Sequence, residues 1–220
     1  VTLAYNRLGQ VITRTDQRGT IRSFNYDKLG RATDDRVTTN GTGTDVTVKR
    51  ISSTYEVRGM LATLTSYDNA TPGSGAALNQ IAFTYNTFRQ LTEEQQDHAG
   101  TVSGATPNVQ YGYATGASSS NQIRPTTLTC PNARQIDFDY GTTGGINDHL
   151  NRLSAIIDDS TTTTMAAYTY LGQSFVIQIT YNEAGFGLDL WGGTSGTFAG
   201  IDLFNRIIDQ RWITTSRSYR

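Results

Sequence analysis

Seven times in this chain an apolar or small residue, one spacer and a tyrosine follow one another, and the tyrosines recur at a nearly constant interval. The triplets are Phe24-Asn25-Tyr26, Ser53-Thr54-Tyr55, Phe83-Thr84-Tyr85, Tyr111-Gly112-Tyr113, Phe138-Asp139-Tyr140, Tyr168-Thr169-Tyr170 and Ile179-Thr180-Tyr181. Successive tyrosines stand 29, 30, 28, 27 and 30 residues apart, and only the last step, 11, is short. Self-similarity at such a period marks a repeat architecture, in which each unit buries its apolar face only by stacking on its neighbours. Repeat chains serve as extended surfaces and scaffolds more often than as small catalytic pockets.

Upstream of the tyrosines, apolar residues alternate with polar ones. Ile81, Phe83 and Tyr85 oppose Gln80, Ala82 and Thr84; Ile136, Phe138 and Tyr140 oppose Gln135, Asp137 and Asp139. Val109, Tyr111 and Tyr113 repeat the pattern, and Phe175, Ile177, Ile179 and Tyr181 extend it to four steps. A period of two predicts strands with one buried and one wet face. The 12 Tyr, 8 Phe and abundant Thr suit strands, and the 22 Gly suit turns.

A turn signal follows the tyrosine. Tyr5 leads into Asn6-Arg7-Leu8-Gly9-Gln10 and Tyr26 into Asp27-Lys28-Leu29-Gly30-Arg31. Asp or Asn can accept from backbone N–H groups just downstream, and the glycine supplies a left-handed residue, which together predict a type I turn closed by a glycine bulge. The spacing recurs at Asp16-Gln17-Arg18-Gly19 and Asp97-His98-Ala99-Gly100, and less fully at Glu56-Val57-Arg58-Gly59. Tyr85 is followed by Asn86-Thr87-Phe88-Arg89-Gln90, which puts arginine where glycine belongs; a strained residue or a different turn is expected there. Short turns imply antiparallel neighbours. The expected fold is all-β: about fourteen to seventeen short strands in a curled ribbon of hairpins. Polar stretches at Thr39–Asp45, Asn69–Ala77, Gly100–Pro107, Ala114–Asn121, Gly141–Asp148 and Asp158–Thr164 are expected as surface loops within a single array over residues 1–220.

These residues resemble the YD-repeat, or RHS-repeat, family, whose unit reads approximately Tyr-Asp-x-x-Gly-Arg, then a second Gly, then aromatic-x-Tyr. The fullest copy is Tyr26-Asp27-Lys28-Leu29-Gly30-Arg31, preceded by Gly19 and Phe24-Asn25-Tyr26. Weaker copies begin at Tyr5 (with Gly9), Tyr55 (with Gly59) and Tyr85, Phe204-Asn205-Arg206-Ile207 is an eroded one, and Tyr113, Tyr140 and Tyr170 continue the period. The resemblance implies a spiralling hollow β-shell, as in bacterial polymorphic toxins, insecticidal toxin complexes, wall-associated proteins and teneurins. It implies partners in the remainder of a longer polypeptide and an enclosed C-terminal effector, and a secreted or cell-surface setting. The family's Asp-Pro-x-Gly cleavage core is absent; Asp189-Leu190-Trp191-Gly192 shares only an Asp and a Gly with it, so no cleavage is carried over.

Little else points to chemistry. Net charge is −1 without a basic stripe, which argues against nucleic acid, and no apolar run is long enough to span a bilayer as a helix. Cys130 reads as a packing residue, and His98 and His149 are isolated. Gly192-Gly193-Thr194-Ser195-Gly196 reads as a flexible turn. Paired acids occur at Asp34-Asp35, Asp137/Asp139 and Asp158-Asp159; Asp137 and Asp139 would share a strand face about 7 Å apart, but on the wet side, without the desolvation a catalytic pair needs. No enzyme, cofactor or metal is therefore expected. The aromatic residues could instead grip sugar rings, which leaves an adhesion or carbohydrate-binding module as the alternative to a shell segment.

Overall fold

A computed structural model describes residues 1–115, 123–194, 196–214 and 218–219. The loop expected at Ala114–Asn121 therefore lies outside the described residues from position 116 onward, as does Ser195 of the expected glycine turn. Among the described residues there are seventeen strands and one single-turn helix, so the all-β, antiparallel expectation is the fold observed. The chain divides into two compact units, residues 1–109 and 110–220.

The first unit holds β1 (Thr2–Tyr5), β2 (Val11–Thr15), β3 (Ile21–Tyr26), β4 (Ala32–Thr39), β5 (Arg50–Tyr55), β6 (Leu61–Tyr67), β7 (Ala77–Tyr85) and β8 (Leu91–Asp97). From β1 to β8 consecutive strands pair antiparallel, a plain meander. In such a meander alternate connections fall on the same edge of the sheet. The β1–β2, β3–β4, β5–β6 and β7–β8 turns therefore share one edge, and the turn at 16–20 and the loops 40–49 and 68–76 share the other.

The register settles which residues share a face. Phe24 lies opposite Asp35, Asp35 opposite Ile51, Ile51 opposite Ser66 and Ser66 opposite Asn79, two steps from Ile81 and four from Phe83. Phe24 and Phe83 thus lie on one face, as the alternation predicts, and Phe24 and Tyr26 line one groove of about 440 Å³ with Val1, Leu3, Val11 and Arg14. The expected burial is overturned, however. Phe24 and Phe83 are only half-buried, while the opposite, polar face contains Arg50 at 3% and Thr65 at 2% exposure. A single-layer sheet has no second layer to bury its apolar face, and in this unit the loops fold back over the polar one. Arg50 donates to the carbonyls of Thr71 and Ser74 in the 68–76 loop, to Ser52 Oγ at 3.1 Å, and lies 3.7 Å from Asp34. Gln80 holds the following loop through Val102 N–H (2.9 Å) and donates to Thr65 Oγ1 (2.7 Å).

The second unit contains most of β9 (Asn108–Tyr113), then β10 (Pro125–Thr129), β11 (Gln135–Asp139), α1 (Ile146–His149), β12 (Ala155–Asp158), β13 (Thr163–Leu171), β14 (Phe175–Tyr181), β15 (Phe186–Asp189), β16 (Arg211–Thr214) and β17 (Ser218–Tyr219). These strands also pair in chain order. All the fully buried apolar side chains among the described residues, Ala155, Ala166, Ile177 and Leu190, belong to this unit. Helix α1 falls in the stretch expected as a plain loop at Gly141–Asp148. Asp148 ties it down by accepting from Gly144 N–H (2.8 Å) and Arg124 (2.5 Å).

Candidate functional site

The repeated residues assemble into a lock between neighbouring hairpins. Its first part is a five-residue turn, found at 6–10, 16–20, 27–31, 56–60, 86–90, 130–134 and 202–206. In each, the first residue's N–H donates to the fifth residue's carbonyl and the fourth residue's N–H donates to the first residue's carbonyl. The fourth residue is left-handed every time: Gly9 (φ 78°), Gly19 (82°), Gly30 (81°), Gly59 (94°), Arg89 (67°), Ala133 (64°) and Asn205 (58°). Arg89 thus keeps the same turn and bears the strain. The copy at Glu56 is complete, as is the one at Asp202. The spacing at Asp97–Gly100, by contrast, opens a longer loop without a left-handed Gly100.

The first residue also caps the turn with its side chain. Oδ1 of Asn6, Asp16, Asp27, Asn86 and Asp202 accepts from the third and fifth backbone N–H groups at 2.8–3.0 Å. Those bonds favour the ionised form, so the carboxyls of Asp16, Asp27 and Asp202 are held below the usual aspartate range, chiefly by the backbone N–H groups of Thr20, Arg31 and Arg206. The remaining side-chain atom reaches the fifth residue. Arg31 Nε donates to Asp27 Oδ2 at 2.7 Å and Arg206 Nε to Asp202 Oδ2 at 2.6 Å. Asn6 and Asn86 do the same neutrally with Gln10 (2.7 Å) and Gln90 (2.6 Å).

The second part joins one hairpin to the next. Arg31, fixed by Asp27, lies 4.3 Å over the ring of Tyr55, and Arg152 lies 4.7 Å over Tyr170. Gln10 donates to Gly30 O at 3.0 Å and Arg58 to Asn86 O at 2.5 Å. The tyrosine hydroxyl completes the lock by donating to a main-chain carbonyl of the preceding hairpin. Tyr26 reaches Val11 O (2.8 Å), Tyr55 Ala32 O (2.8 Å), Tyr85 Leu61 O (2.9 Å) and Tyr170 Leu153 O (2.7 Å). Burial pushes the phenols of Tyr85 and Tyr170 upward, so the hydroxyl keeps its donor proton. A register shift immediately precedes Tyr5, Tyr26, Tyr55, Tyr85 and Tyr170, where the bulge re-aims the chain.

The remaining motif residues vary in their use of the lock. Tyr5, on the first strand, is 55% exposed. Tyr113 lies opposite Pro125 in the β9–β10 ladder. Tyr140 carries the stacked guanidinium of Arg124 at 4.3 Å. The paired acids do not converge: Asp34 accepts from Ser52 Oγ (2.5 Å) on the polar face, and Asp35 binds Arg22 (2.9 Å) on the other. Asp137 accepts from Gln135, Asp139 from Gly141 N–H, and Asp158 from Arg134 (2.9 Å) and Ser160. Asp189, fully buried, accepts from the backbone N–H groups of Trp191 and Gly192 and from Arg211 at 2.5 Å. His98 and His149 are exposed and Cys130 is half-buried. Among the described residues no three His, Cys, Asp or Glu side chains come together as a metal site, and no helix is long and apolar enough to cross a membrane.

Sequence reasoning placed the turns at 6–10, 16–20, 27–31, 56–60 and 86–90 but missed Arg50, the tyrosine–carbonyl bonds, the turn at 202–206, where it found only an eroded motif from Phe204, and the turn at 130–134. Pro131 and Asn132 at the centre of that turn were the signal available for it.

No protein-family profile and no curated protein matches the chain. Among solved structures, the chain is similar to the Photorhabdus luminescens Tc holotoxin pore at 8% identity and a TM-score of 0.47, over 97% of this chain and 11% of that one. It is similar to a crystal structure of TcdB2-TccC3-TEV at 11% identity and a TM-score of 0.47, over 95% of this chain and 11% of that one. The chain thus spans about a tenth of the length of these structures.

Proposed function

We propose that the chain is a non-enzymatic structural segment of a large, secreted or cell-surface RHS-repeat protein, where it forms part of a β-walled shell around another polypeptide. The observation that carries this reading is the lock: Asp and Gly of the repeat shape the turns, while Tyr26, Tyr55, Tyr85 and Tyr170 with the stacked Arg31 and Arg152 join a hairpin to its neighbour. An array joined only neighbour to neighbour extends by addition of hairpins, which suits a wall. The acids that could have served catalysis are engaged instead by guanidiniums, hydroxyls, amides and backbone N–H groups. The test is electron cryo-microscopy of the chain produced with its native flanking sequence, combined with protease treatment. A hollow particle one sheet thick, with an inner polypeptide resistant to protease, is expected. A solid particle, or an inner segment cleaved as fast as free peptide, rejects the shell.

One observation favours the adhesion reading. Tyr181, Phe186 and Trp212 sit on successive strands with ring centroids 5.2 and 5.9 Å apart, and Phe186 and Trp212 are 40% and 38% exposed. Saturable quenching of tryptophan fluorescence by a glycan, abolished by Trp212→Ala, would support it.

A further inference from the structure

The two edges of the first unit differ in chemistry. The edge formed by the β1–β2, β3–β4, β5–β6 and β7–β8 turns presents one large apolar side chain at every tip: Leu8 (81% exposed), Leu29 (78%), Val57 (103%) and Phe88 (63%). Beside three of these stands an exposed cation, Arg7, Lys28 or Arg89, that forms no ion pair among the described residues. Arg58 beside Val57 is engaged by Glu56 and Asn86. The opposite edge lacks that pairing of apolar tip and cation: it carries Asp16, Asp45 and Asp68 alongside Arg18 and Lys49, and Val1, Val46 and Val48 as exposed large apolar residues among those described.

Nothing in the lock requires this composition. The third turn position, apolar at Leu8, Leu29 and Phe88, needs only a backbone N–H, and it is Arg18 in the turn on the other edge and Arg58 in the β5–β6 turn, where the apolar residue is Val57 at the second position. Two strands separate successive tips, so they stand about 10 Å apart along a row of about 30 Å. At that spacing, and with every tip more than 60% exposed, the tips form separate projections. Such isolated side chains make no continuous patch of the kind a protein interface core requires. A fluid interface, by contrast, can close around each one. A second copy meeting this edge head-on would set Arg7, Lys28 and Arg89 against their own kind.

We propose that this turn edge docks on an anionic lipid surface, the apolar tips entering the headgroup boundary while Arg7, Lys28 and Arg89 meet lipid phosphates and carboxylates. This inference stands apart from the shell reading and does not depend on it.

The test is flotation of the full chain with phosphatidylcholine vesicles, with and without phosphatidylserine. Binding is expected only to the anionic vesicles and is expected to weaken with salt. Each neutralised cation should weaken it about fivefold, so Arg7→Gln, Lys28→Gln and Arg89→Gly together should cost about a hundredfold. Leu29→Ser with Phe88→Ser should weaken it about tenfold or more. All these positions are exposed, and Arg89→Gly relieves a left-handed arginine, so urea melts should show that the variants remain folded. Emission of Phe88→Trp should shift to the blue and be quenched by brominated lipid. Equal binding to uncharged vesicles, insensitivity to the triple substitution, or binding to an acidic protein with none to vesicles would overturn the proposal. So would an equal loss on Asp45→Asn with Asp68→Asn at the opposite edge.

Discussion

At the scale of the residue, the five-residue turn separates what the backbone demands from what the side chains add. The fourth position must be left-handed, which costs a residue with a Cβ on the order of 1 kcal/mol relative to glycine. Arg89 and Ala133 bear that cost at φ 67° and 64°. Arg89→Gly is therefore expected to raise stability by about 1 kcal/mol in urea denaturation, with an unchanged slope; a loss would mean that the arginine side chain contributes more than its backbone costs. The capping aspartates carry a pH dependence whose sign follows from their lowered folded-state values. Their contribution is complete above the unfolded aspartate value of about 3.9 and is lost as pH falls through the lower, folded value. Asp27→Asn keeps the Oδ1 acceptor, as Asn6 and Asn86 do, so its stability should fall less on acidification than that of the native chain. An identical acid profile would show that Asp27 does not contribute.

At the scale of the element, the sequence made the strands and turns legible because both depend on local pattern: alternation for strands, Asx plus glycine for turns. Hairpins at Tyr5, Tyr26, Tyr55 and Tyr85 follow from that alone. The long-range half of the lock was not legible. A tyrosine hydroxyl bound to the carbonyl of Val11, Ala32, Leu61 or Leu153 uses an acceptor that every residue has, so no side-chain identity at the receiving end announces it. Arg50 was hidden for the same reason, since two of its partners are loop carbonyls. Alternation also identified the two faces correctly without revealing which is covered, because loops near the polar face are themselves polar. Arg50→Ala would leave Asp34 without its cation and free the 68–76 loop, an expected loss of about 3 kcal/mol. Limited proteolysis should then cut first within residues 68–76; unchanged stability and cleavage would deny Arg50 that role.

At the scale of the whole molecule, the locks make each hairpin answer chiefly to its neighbours. In the first unit no apolar side chain among the described residues is fully buried. Stability there rests on the ladders, the locks and the loop-holding Arg50, not on one shared core, and a local lesion should stay local. Hydrogen–deuterium exchange of Tyr55→Phe tests this most directly, because the substitution removes a single hydroxyl bond, worth about 1 kcal/mol, that joins β5 to the carbonyl of Ala32. Faster exchange is expected only in the β3–β4 and β5–β6 hairpins, with β1 and the second unit unchanged. Faster exchange throughout the chain, or none anywhere, would contradict it.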